Sequence, residues 1–198
     1  MVTFVQASPD APAMDFYLNN NKVNVSPVNF GDNINYFRAN IGQRIANCYT
    51  AGSLTKIFSD TTTFKENYVY SLFLANKVSS PQFLRLTDTI TQPISGKANI
   101  RFVNMSPDAP AVDLAVQGGS VLVTNRAFKG FSSFSPVAGN ISYTLEVRQT
   151  GTNTVLATLA GVQLYSGFVY TIWLRGLATP TNNTNGLNVG IMTNAFYN

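Results

Sequence analysis

The chain has 198 residues, is 45% hydrophobic and 12% aromatic, and carries 11% charged residues with a formal net charge of +4. That combination excludes an intrinsically disordered chain, which needs low hydrophobicity and high charge. Having no histidine and one cysteine, Cys48, it also excludes a Ser–His–Asp or Cys–His catalytic arrangement, a His/Cys zinc site and an internal disulfide.

Helical periodicity is nearly absent. β-Branched and aromatic runs alternate with period two and are broken by turn residues throughout. In chain order the pattern predicts strands over residues 2–7, 14–18, 22–25, 33–38, 43–49, 54–59, 67–76 and 82–88. After "TQPISGK" (91–97), a short Pro-, Gly- and Ser-bearing joint, it predicts strands over 99–105, 111–117, 120–124, 131–136, 141–149, 153–160, 167–175 and 187–193. "QGGS" (117–120) and "QTGTN" (149–153) read as tight turns, because glycine adopts positive φ without steric cost.

The two series repeat one another. "FVQASPDAPAMDF" (Phe4–Phe16) and "FVNMSPDAPAVDL" (Phe102–Leu114) agree at nine of thirteen positions, 98 residues apart. Phe30 aligns with Phe128, and "YVYSLFL" (68–74) with "FVYTIWL" (168–174). A fixed self-similarity defines the folding unit. The expected organisation is therefore two domains, 1–92 and 97–198, each an antiparallel β-sandwich of immunoglobulin-like or transthyretin-like plan.

Residues Ser8, Pro9, Asp10, Pro12 and Asp15, with Ser106, Pro107, Asp108, Pro110 and Asp113, are the candidate special positions. Proline fixes its own φ and pushes the preceding serine into an extended conformation. Ser-Pro at the first two positions suits a type I turn, and the aspartate accepts nearby backbone N–H groups. Pro12 and Pro110 delay the next strand because they cannot donate to a ladder. In a competing reading, the two aspartates of each copy hold a hard cation such as Ca²⁺, which takes about six to eight oxygens. Each copy offers only two carboxylates, so a structural turn without metal or cofactor is expected. The same pairs, or Glu146 with a partner, could hydrolyse glycosides if they flanked a cleft; prolines beside them point to a turn instead.

The wording "RFVNMSPDAPAVDL" resembles the opening of the family called domain of unknown function 4397 (DUF4397), and both copies share it. The resemblance implies a β-sandwich fold and export from a bacterial cell, often in tandem and tethered to the envelope. Val2 itself already reads as strand, so no signal peptide is expected within this sequence; the resemblance implies a signal sequence, with a lipidated cysteine, ahead of Val2 in the natural gene. The family has no established activity, so no catalytic residue is carried over.

Other residues read blandly. Cys48 aligns with Val147 and is expected to face inward, where a free cysteine acts as a small hydrophobe. Along 167–175, Phe168, Tyr170, Ile172 and Leu174 should face the core. Val169 and Trp173 lie on the opposite face, as Val69 and Phe73 do in the first copy. That face is expected to be covered by a loop or by the other domain; left open, it would form an aromatic platform for a sugar ring.

The thirteen basic residues are scattered, so no nucleic-acid partner is expected. No apolar run approaches the ~18 residues of a membrane-spanning helix. The expected role is a non-enzymatic envelope protein that adheres, scaffolds or binds an unidentified protein or glycan. A carbohydrate-binding accessory module is the alternative, and a glycoside hydrolase a more distant one.

Overall fold

The computed structural model describes residues 1–197. Strands and loops make up the whole of this part of the chain, which divides into two compact units, Met1–Asp88 and Thr89–Asn198.

The first unit contains β1 (Val2–Gln6), β2 (Met14–Leu18), β3 (Asn21–Lys22), β4 (Asn33–Phe37), β5 (Gly42–Thr50), β6 (Lys56–Phe64), β7 (Tyr70–Ala75) and β8 (Gln82–Thr87). They form two four-stranded sheets, in the orders β4-β1-β7-β8 and β3-β2-β5-β6. Between them lies a core of Phe4, Met14, Phe16, Cys48, Phe64, Leu72 and Leu74 with their neighbours. Phe4 of β1 and Phe16 of β2 stack across this core, ring centres 4.1 Å apart and planes 10° from parallel. The first and last residues of the repeated phrase thus meet, and the phrase carries the chain from one sheet to the other.

The second unit contains β9 (Lys97–Asn104), β10 (Val112–Val116), β11 (Val121–Arg126), β12 (Ser135–Ala138), β13 (Ile141–Gln149), β14 (Val155–Leu164), β15 (Phe168–Arg175) and β16 (Asn188–Phe196). Its sheet orders, β12-β9-β15-β16 and β11-β10-β13-β14, reproduce those of the first unit strand for strand. Its core gathers Phe102, Leu114, Leu145, Val147, Ile172 and Leu174.

All sixteen expected strands are present, with shifted ends. β3 stops at Lys22 because the Asn24 side chain takes over: its Oδ1 accepts the Phe16 amide at 2.7 Å in place of a backbone carbonyl. β6 runs on to Phe64 through Thr61, Thr62 and Thr63, whose polarity disguised a β-branched run. β12 begins four residues later than expected; Phe131 makes only an isolated bridge to Val103. Pro136, which lacks an N–H, is accommodated because β12 is an edge strand.

One adjacent pair in each unit runs parallel: β1 beside β7, from Val2↔Tyr70 to Gln6↔Leu74, and β9 beside β15, from Val169↔Asn99 to Leu174↔Asn104. The remaining pairs are antiparallel. Side-chain alternation looks the same in either direction, so sequence does not reveal this pair. The intervening strands belong largely to the other sheet and supply the long crossover that a parallel neighbour needs.

Candidate functional site

The repeated phrase makes the same contacts in both units. It opens with a side chain capping the backbone: Ser8 N donates to Gln6 Oε1 at 2.7 Å, and Ser106 N donates to Asn104 Oδ1 at 3.0 Å. The chain then reverses through a hydrogen-bonded turn at Pro9–Asp10 and through an open bend at Pro107–Ala109. Pro12 and Pro110 are exposed, and β2 and β10 begin two residues beyond them.

The first aspartate of each copy reaches the loop after the central strand. Asp10 Oδ1 accepts the Val78 amide at 2.8 Å. Asp108 accepts the Ala178 amide at 2.8 Å and the Thr179 amide at 3.1 Å, and Ser106 Oγ donates to it at 3.3 Å.

The second aspartate points elsewhere and is buried. Asp15 accepts the Gly52 amide at 3.0 Å, Asn24 Nδ2 at 2.9 Å and the Lys22 ammonium at 2.8 Å. Asp113 accepts the Asn125 amide at 2.7 Å, Thr150 Oγ1 at 2.9 Å and the Gly151 amide at 3.2 Å. Gly52 and Gly151 hold φ of +68° and +72°, which turns their N–H groups inward and favours glycine at both places.

Burial pushes both carboxyls up. For Asp15, the bonds from Lys22, Gly52 and Asn24 outweigh burial and hold it below the usual carboxylate range. For Asp113, bonds from Asn125, Thr150 and Gly151 do the same without any cation. The two aspartates of a copy therefore serve different loops, and their oxygens face backbone amides, the Asn24 side chain, the Ser106 and Thr150 hydroxyls and, in the first copy, Lys22. Among the described residues, no three acidic or thiol side chains gather where they could hold a metal ion.

Sequence reasoning missed the partners. Gln6 and Asn104, two residues before each serine, carry a signal in retrospect: both bear a carboxamide at the same place in the repeat. Asn24 has no counterpart signal, because in the second unit the Asn125 backbone amide fills its role. Glu146 is also engaged: the Arg148 guanidinium at 2.6 Å holds its carboxyl below the usual range, aided by Gln117.

Cys48 lies in the first core, paired with Phe16 across the sheet, and burial pushes its thiol well above the ordinary range. Trp173 is 1% exposed, so it offers no platform to a sugar. Its indole lies over Gly190: a Cβ built there would stand 2.5 Å from Cε2 and Cζ2. On the same face Arg101 is buried, donating from Nε and Nη2 to Thr171 Oγ1 and lying 4.6 Å above the Phe134 ring.

Several openings mark the surface of the described residues, among them one of about 360 Å³ beside Gln92, Ser166 and Tyr197 in the second unit. In the first unit a cleft of about 520 Å³ runs along residues 23–35, and another of about 280 Å³ lies beside Lys22, Arg38 and Arg44. Arg44 spends its donors on the carbonyls of Asn40, Ile41 and Gln43. In the second unit a groove of about 230 Å³ opens between β14 and β16. Tyr165 beside it is 51% exposed, and Phe196, stacked on Phe168 with ring centres 5.6 Å apart, is 63% exposed.

The family model described as domain of unknown function (DUF4397) matches residues 1–115, more than half of the chain. Among solved structures, the crystal structure of CBMbc (family CBM26) from Eubacterium rectale Amy13K in complex with maltoheptaose is similar over 98% of this chain and 97% of that one. The TM-score is 0.31 and the identity 11%. So loose a superposition supports no inference about ligand. No curated protein sequence matches the chain.

Proposed function

We propose that this chain, which belongs to the DUF4397 family, is an exported, non-catalytic protein of the bacterial cell envelope whose paired sandwiches adhere, scaffold or bind. The observation that carries this reading is the engagement of the motif carboxylates. Asp10, Asp15, Asp108 and Asp113 each accept backbone amides from distant loops. An acid–base pair must instead aim its oxygens at a substrate bond from both sides. Here the most chemically suggestive residues hold the scaffold together, and function falls to the surface. Two assays test this. Incubation with polysaccharides should release no reducing ends; release that disappears in Asp10→Ala or Asp15→Ala would overturn the reading. Fractionation of cells expressing the whole gene should find the protein outside the cytosol.

Carbohydrate binding is the second reading, and the exposed rings of Tyr165 and Phe196 favour it. Aromatic faces left in water beside a groove suit the apolar face of a sugar ring. A glycan array probed with the intact chain tests it.

A further inference from the structure

We infer that the groove between β14 and β16 in the second unit is a binding site for uncharged pyranose rings; this rests on the carbohydrate-binding reading and assigns its location. The same place is built on a shared frame in the two units. Tyr70 and Tyr170 correspond, and each phenol accepts a backbone amide at 3.2 Å, from Lys65 and from Tyr165 respectively. The register also corresponds: Arg85 pairs with Leu72, and Ile191 with Ile172.

The side chains differ where it matters. In the first unit Arg85 lies 5.2 Å above the Tyr70 ring and donates to the Thr63 carbonyl, so a guanidinium plugs the place. In the second unit Ile191 stands in the corresponding position, Tyr165 replaces Lys65, and the groove is open. Both cations have given way to apolar or aromatic groups, and among the described residues lining the groove none is charged.

The rings specify the shape of the occupant. Phe168 lies within 15° of parallel to Tyr170 and within 26° of parallel to Phe196, at 5.8 and 5.6 Å between centres. Tyr165 is tilted 50° to Phe168, so the rings do not share one plane, and a lining without charged side chains offers a counter-charge to neither a cation nor an anion. The exposed rings of Tyr165 and Phe196, with Gln163 and Thr193 in the lining, suit a ring with an apolar face and hydroxyls at its edge. At about 230 Å³ the groove is smaller than the ~300–1,000 Å³ that takes a drug-sized molecule, so it fits one or two rings of a longer chain.

The test is affinity electrophoresis of the full chain through gels containing soluble starch, xylan, galactomannan or polygalacturonate. The expected result is retardation by at least one of the three neutral polymers and none by the anionic one. That retardation should fall about tenfold in Tyr165→Ala, as expected for losing one stacking ring. It should fall similarly in Ile191→Arg, which restores the plug of the first unit, and stay unchanged in Tyr68→Ala. Tyr165 is half exposed, so its removal leaves the fold intact, and circular dichroism checks this for every variant. Retardation that survives both groove substitutions would overturn the site while leaving carbohydrate binding in place. Retardation by polygalacturonate alone would overturn the uncharged ligand. No retardation by any polymer would overturn the site and the carbohydrate-binding reading together.

Discussion

Asp15 and Gly52, 37 residues apart in sequence, are joined by a hydrogen bond of 3.0 Å from the glycine amide to the buried carboxylate. Asp113 and Gly151 repeat the bond in the second unit at 3.2 Å. Each carboxylate ties the strand that opens one sheet to a hairpin of that sheet, and a proline-bounded crossover delivers it there.

Asp15→Ala should destabilise the first unit by about 1–3 kcal/mol, because it removes the charge-assisted bonds from the Gly52 amide, the Asn24 side chain and Lys22. Lys22→Ala should cost less than about 1 kcal/mol, since the lysine side chain is 40% exposed and its ion pair is partly screened. Urea unfolding of the two variants checks the order. Equal losses would make the ion pair, rather than the backbone bonds, the important contact. Pro9→Ala and Pro107→Ala should each cost about 0.5–1 kcal/mol, chiefly by freeing the unfolded chain.

The pH dependence follows from the same carboxylates. Asp15 and Asp113 lie below the value of about 3.9 that an unfolded aspartate shows. A depressed folded-state value contributes stability that is complete above the unfolded value and is lost as pH falls through the folded one. With no histidine to titrate, stability should be flat from about pH 8 to 5 and decline below about pH 4. Denaturation midpoints across that range check this; a steady decline between pH 8 and 5 would contradict it.

The strands were readable because alternation and turn residues report directly on a half-buried sheet, and Phe4, Phe16, Phe102 and Leu114 announced the core by that pattern. The turn at SPDAPA was readable because proline constrains the local chain. What the two aspartates hold was not, since Gly52 and Val78 lie 37 and 68 residues away and donate through the backbone, which every residue shares. The groove was hidden for a related reason: Tyr165 and Phe168, three residues apart, meet Phe196 only when β14 and β16 close the edge of the sandwich. Trp173 attracted attention as the sole tryptophan, yet its place over Gly190 buries it.

Cys48 should resist a thiol reagent in the native protein and react only on unfolding. Its thiol is fully buried and protonated, and the thiolate is the reactive form. Labelling in native buffer at the rate seen in denaturant would contradict an inward position.

Trp173 should emit as a buried indole and resist iodide quenching. Gly190→Ala should cost about 1–3 kcal/mol, because a methyl there displaces the indole from its position over the strand. Free quenching, or a neutral effect of the alanine, would show that the ring lies elsewhere.

The central claim is that the repeated aspartates clamp backbone amides rather than serve a metal or a substrate. Amide hydrogen exchange, read residue by residue with and without calcium, tests it most directly. The Gly52, Val78, Gly151 and Ala178 amides should be protected, and calcium should change none of them. Asp15→Ala should release Gly52 while sparing Gly151, and Asp108→Ala should release Ala178 while sparing Val78. Calcium-dependent protection at these amides, or exchange that ignores both substitutions, would contradict it.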